Sequence, residues 1–141
     1  RLVFADRVPH APHMARQRHA DLFVDTFAYN AHTTASDALL VGLPVVTLKG
    51  RQFAARVAAS LLQAAGFPEL IAETERDYEA LITRFVEDRG ALRALSERVA
   101  RQTPVSPLFD TRAYTDALEQ AYGIAVERSR QGLSPTDIHP A

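Results

Sequence analysis

Cysteine is absent from the 141 residues, which excludes disulfides, thiolate metal sites and thiol nucleophiles. That absence fits a reducing compartment, and a cytoplasmic location is the expectation. An excess of one charge sign is lacking too: sixteen Lys and Arg face seventeen Asp and Glu, a formal net charge of −1. Neither a nucleic-acid partner nor an anionic membrane is therefore expected, and any anion site has to be local. The longest apolar stretch, about residues 38–46, is interrupted by Gly42 and Pro44 and is far too short to span a bilayer. There is no internal repeat and no low-complexity tract.

What the chain does have is a core. Apolar residues make up 47 % of a length near the mode for one domain, so a single globular unit is expected. The chain opens Arg1-Leu2-Val3-Phe4, without methionine or signal-peptide features, and is expected to begin inside a larger domain.

Short apolar runs alternate with helical periods. Leu2-Val3-Phe4 has the pattern of a buried strand, and residues 11–19 predict a helix carrying His13, Arg16 and His19 on one side. Leu22-Phe23-Val24 predicts a second strand, residues 34–41 a helix stopped by Gly42 and Pro44, and Val45-Val46-Thr47-Leu48 a third strand. A helix over residues 53–65 and a short strand at Leu70-Ile71-Ala72 follow. The alternation predicts an α/β fold with a partial Rossmann-like parallel sheet of three to four short strands and flanking helices. A helical region completes the chain. Two amphipathic helices over residues 74–103 meet near Gly90, and after a proline-punctuated connection Asp110 caps a last helix to about residue 130. Residues 1–131 are expected to form the domain and residues 132–141 a loose tail.

The polar loop Asn30-Ala31-His32-Thr33-Thr34-Ala35-Ser36-Asp37 lies between a strand and a helix start. Two readings of it compete. Thr34 and Asp37 have capping-box spacing, which would satisfy the first helical N–H groups internally. Alternatively those N–H groups and the helix dipole seat an anion, with phosphate the natural guest. Position brings the second level with the first, because ligands of parallel sheets bind beyond the carboxyl ends of the strands. His10, His13 and Arg16 follow the first expected strand, the loop from His32 to Asp37 the second, and Lys49 to Arg56 the third. A metal site built from His10, His13, His19 and His32 is not expected, since their spacing supplies no third fixed ligand.

A longer pattern runs through these clusters. Val8-Pro9, His13, Arg16, Ala20-Asp21, Asp25-Thr26, Asn30-Ala31-His32-Thr33-Thr34 and Asp37 occur in an order that resembles the donor-binding lobe of the protein O-GlcNAc transferases. Leu43-Pro44-Val45-Val46-Thr47, Arg56-Val57-Ala58-Ala59-Ser60, Glu69-Leu70-Ile71-Ala72 and Ser106-Pro107-Leu108-Phe109 continue the resemblance, which extends to about residue 127.

The resemblance implies half of a GT-B nucleotide-binding lobe, in an inverting, metal-independent enzyme that moves N-acetylglucosamine from UDP-N-acetylglucosamine to serine or threonine hydroxyls of proteins. It implies no cofactor beyond that donor substrate. By the same resemblance His13 packs on the uracil, Arg16 lies near the uridine, and Val8 offers its backbone to the base edge. His32, Thr33 and Thr34 hold the diphosphate, and Asp37 accepts from the ribose hydroxyls. His10 is a further donor-binding position, where the family usually has lysine, and Ala31 stands where glycine is common. The implied partners are the rest of the same enzyme (an amino-terminal lobe, the first half of this lobe, and helical repeats) and a protein acceptor. No general base for that acceptor is found among these residues, and the piece alone is expected to be inactive. Two other readings stay open at this point: a different GT-B nucleotide-sugar enzyme, such as a 2-epimerase or a transferase of another sugar, and a non-catalytic helical interaction module resting on residues 74–130.

Overall fold

The computed structural model describes residues 2–140, which divide into two compact units at the junction of Ser106 and Pro107. In the first unit the order is α1 (His10–Gln17), β1 (Phe23–Val24), α2 (Thr33–Leu40), β2 (Val45–Leu48), α3 (Val57–Ala65), β3 (Ile71–Ala72), α4 (Glu75–Glu87) and α5 (Arg89–Gln102). The second unit holds α6 (Thr111–Arg130), and residues 133–140 carry no regular secondary structure.

The sheet is parallel, in the order β1-β2-β3, with Phe23 beside Val45 and Val24 beside Val46, then Thr47 beside Ile71 and Leu48 beside Ala72. Its middle strand is buried on both sides, so Val45, Val46 and Thr47 form an uninterrupted buried run, as expected of a covered parallel strand. Helices α2, α3 and α4 all pack on β2. Leu39, Val45, Val46, Leu62, Phe67, Leu70 and Val99 are the large apolar side chains sealed in this core. Burying each contributes about 1.5–3 kcal/mol.

The helices start and stop for local reasons. Thr74 caps α4 by accepting from the Asp77 amide, Asp88 caps α5 through Ala91, and Asp110 caps α6 through Ala113. Helix α2 buries Ala35, Ala38 and Leu39, a spacing of three and four that keeps one stripe inward. It ends into Gly42, whose φ of 85° is the left-handed conformation a side chain resists.

The strand expected at Leu2-Val3-Phe4 does not form. Those side chains are 86 %, 82 % and 91 % exposed, and among the described residues no strand lies beside them. A strand needs a ladder partner for its N–H and C=O groups, and three apolar residues do not supply one.

Candidate functional site

Everything around the loop after β1 hangs on a buried carboxylate. Asp25 Oδ1 accepts from the amides of Thr26 (2.9 Å) and Ala31 (2.7 Å), and its Oδ2 accepts from Thr47 Oγ1 (2.7 Å) in the middle strand. Tyr78 on α4 donates to the Asp25 carbonyl at 2.6 Å. Burial of the phenol, with the Asp25 charge adding to it, raises the Tyr78 pKa to about 12. Asn30 is buried as well: its amide donates to Ala54 O and its side chain to Thr26 O, both at 2.7 Å. The loop is thus closed on itself and fastened to the segment after β2.

That fastening sets the start of α2. His32 is the N-cap residue, it makes no side-chain capping bond, and the first helical bonds are the Ala35 and Ser36 amides donating to His32 O. The capping-box expectation is therefore corrected. The helix begins two residues earlier than the spacing suggested, so Thr34 sits inside the first turn, where its hydroxyl is not placed to cap. The amides of Thr33 and Thr34 lie at the positive end of the helix dipole with no partner in the protein. Ala31 raises no backbone difficulty, because no non-glycine among the described residues has a positive φ.

A cleft of about 470 Å³ opens over this turn, lined by Asp25, Thr26, Tyr29, Asn30, Ala31, His32, Thr33 and Thr34 with the end of β1. The His32 ring is stacked on Tyr29, with centroids 4.8 Å apart and planes 14° apart, and meets Phe53 edge-on at 6.1 Å.

Helix α1 supplies the second part. His10, its first residue, places Nε2 3.6 Å from Oδ1 of Asp37, which is only 15 % exposed at the next turn of α2. Arg16 holds α1 to the extended segment before it: one guanidinium nitrogen donates to Asp6 O at 2.7 Å and the other to His13 Nδ1 at 3.0 Å. Since arginine only donates, His13 Nδ1 is an acceptor and the neutral ring carries its hydrogen on Nε2. Nε2 lies 2.9 Å from the Gln17 carboxamide. Turning that carboxamide so its oxygen meets the ring also gives buried Gln17 Oε1 the partner it otherwise lacks. Arg16 is thus engaged in setting the His13 ring, and Val8 stands in the extended segment leading to Pro9, the α1 N-cap.

The structure brings together His32, Thr33, Thr34 and Asp37 within the first two turns of α2, joins His10 to them, and pairs His13 with Arg16 on the same short helix. The polar group at the head of the chain reaches the site through α1 packing on α2, not through a strand end. The segment after β2 is beside the site through Phe53 and Ala54, but Lys49 is paired with Glu73 at 2.9 Å beyond the end of β3. Among the described residues no group of three or more His, Asp or Glu is placed to hold a metal ion, and no helix is long and apolar enough to cross a membrane.

Sequence reasoning gave no role to Asp25, Thr47, Tyr78, Tyr29 or Phe53. A lone hydroxyl within the Val45–Leu48 run was a usable signal, because a buried Thr in an apolar strand needs a partner.

Comparison with known proteins gives the family and the fold. The family described as Glycosyl transferase family 41 matches residues 1–118. A UDP-N-acetylglucosamine–peptide N-acetylglucosaminyltransferase of Caenorhabditis elegans is 35 % identical over 133 residues, covering 94 % of this chain and 12 % of the relative. A probable enzyme of the same description, SPINDLY of Hordeum vulgare, is 35 % identical over 123 residues, covering 87 % and 13 %. A mutant of the Thermobaculum terrenum O-GlcNAc transferase, a solved structure, superposes with a TM-score of 0.76 at 35 % identity over 82 % of this chain and 22 % of that one. The chain therefore spans between about an eighth and a quarter of the length of these relatives.

Proposed function

The chain belongs to glycosyl transferase family 41, and from that premise we propose that it forms the UDP-binding part of an enzyme that transfers N-acetylglucosamine from UDP-N-acetylglucosamine to serine or threonine hydroxyls of proteins. One observation carries the reading: the α2 N-terminus faces a cleft at the end of β1 with the Thr33 and Thr34 amides unpartnered, beside a half-sequestered carboxylate one turn on. A diphosphate fits the amides. A carboxylate suits a vicinal diol rather than a phosphate, so Asp37 faces the ribose. The nucleoside then lies toward α1, where Arg16 presents the His13 ring in one tautomer for the base, with Val8 at the base edge and His10 at the junction of α1 and α2.

In this reading catalysis by the chain is electrostatic. As the glycosidic bond breaks with inversion, negative charge grows on the β-phosphate. Donors already fixed over it, the two amides, the threonine hydroxyls and the helix dipole, stabilise the transition state more than the ground state, without a metal ion. The groups that meet the acceptor belong to the rest of the enzyme in this proposal.

Calorimetric titration of the full-length enzyme with UDP tests the site. Binding that falls at least about tenfold in Thr34→Ala and in Asp37→Ala supports it, on the scale of one lost charge-assisted hydrogen bond. Absence of UDP binding in the wild-type enzyme overturns it. Mass spectrometry of an acceptor protein tests the transfer: an unmodified acceptor alongside a consumed donor contradicts it.

A further inference from the structure

His32 is held unlike the other residues of its turn. Its ring is sandwiched, with Tyr29 stacked on one face and Phe53 against it edge-on, and its Nε2 is buried without a hydrogen-bond partner. Nδ1 has no protein partner either and is not enclosed, and His32 lines the cleft. A buried N–H with nothing to donate to is the rarer arrangement. The neutral ring therefore keeps its hydrogen on Nδ1, where it can be given to a ligand.

Tyr29 and Phe53 are themselves well exposed, 64 % and 78 %, so the core holds neither ring. Both backbones are pinned nearby. Tyr29 O accepts from Thr26 Oγ1 at 2.6 Å, and Asn30 donates to Ala54 O next to Phe53. The rings thus have fixed anchors on two different loops and meet only at His32.

We propose that Tyr29 and Phe53 are positioning residues that hold the His32 imidazole with Nδ1–H aimed at the anion over the α2 N-terminus. The proposal rests on the UDP-binding reading and goes beyond it in assigning a function to two side chains outside the binding turn. An imidazole free to rotate about its side-chain bonds would have to be ordered at each turnover; a ring clamped in advance contributes a preorganised donor. Aromatic contacts of this kind are strong enough to matter at the level of a few-fold to tenfold in rate.

The test is a kinetic double-mutant cycle on the full-length enzyme with UDP-N-acetylglucosamine and a protein acceptor. Tyr29→Ala is expected to lower kcat about three- to tenfold while KM for the donor moves less than about threefold, because the donor is aimed at charge that develops in the transition state. Tyr29→Phe, which keeps the stacking ring, restores both values to within about twofold. On a His32→Ala background, Tyr29→Ala causes no further loss. Phe53→Leu behaves as a weaker Tyr29→Ala. Circular dichroism and UDP titration of each variant confirm that the site is folded. The proposal is overturned if Tyr29→Ala leaves kcat unchanged, if its effect is undiminished on the His32→Ala background, or if Tyr29→Phe is as impaired as Tyr29→Ala. Failure of the underlying reading looks different: the wild-type enzyme itself does not bind UDP.

Discussion

Thr47 Oγ1 donates a 2.7 Å hydrogen bond to Asp25 Oδ2 inside the sheet, and this contact fastens the loop after β1 to the middle strand. Thr47→Val keeps the shape and removes the donor, leaving a buried carboxylate oxygen unpaired at a cost of about 2 kcal/mol. The expected result is an earlier urea midpoint with an unchanged m-value, together with faster hydrogen exchange at Ala31. An unchanged midpoint would mean that the carboxylate is satisfied elsewhere.

Tyr78 links the same aspartate to α4, and its phenol ionises near 12 instead of 10.0. Below about pH 10 folded and unfolded chains both keep the proton, and stability has no slope from this group. Above that the unfolded chain ionises first, so stability falls between pH 10 and about 12. Ultraviolet titration should show one of the four tyrosines lagging the others. In Tyr78→Phe that late transition disappears, at a cost of about 1 kcal/mol near neutrality for the lost hydrogen bond.

His10 stands 3.6 Å from Asp37 at the junction of α1 and α2. If the cleft holds UDP, His10→Lys supplies a permanent cation. Affinity for UDP should then rise about two- to fivefold. Calorimetry on the full-length enzyme decides it, and an unchanged affinity contradicts a place for His10 beside the donor.

Gly42 turns the chain out of α2 at φ 85°, and a Cβ there would stand 2.9 Å from Ala100 Cβ on α5. Gly42→Ala should cost about 1–2 kcal/mol for the backbone alone, and more for the contact. Gly132→Ala is the control: its φ is 68° but a Cβ meets nothing within 4 Å, so only the backbone cost applies. Thermal unfolding should rank the two in that order.

Local signals served well where one interaction decides the outcome. Val45–Leu48 is a strand because β-branched residues fill a covered position, and Asp110 caps the last helix, as its chemistry requires. They failed where a distant partner decides. Leu2-Val3-Phe4 has the composition of a strand but no ladder partner among the described residues. Thr34 and Asp37 have the spacing of a capping box, but Asp25 and Asn30 fix the loop so that the helix opens two residues earlier. The resemblance singled out the turn from His32 to Asp37 residue by residue. It did not name Tyr29 or Phe53, because their part depends on two loops meeting in space.

The register of the sheet has one more effect. β1 pairs with the first half of β2 and β3 with the second half, so the strands end as a staircase rather than a level edge. The β1 step is two residues lower, about 7 Å at 3.3 Å per residue. The chain leaving it at Asp25 starts below the rim on which Lys49 and Glu73 stand. The loop to α2 therefore leaves from the lower step, and Thr33 and Thr34 at its far end are exposed to solvent. Salt reaches that turn freely, so the field of its two amides and the helix dipole is screened as ionic strength rises.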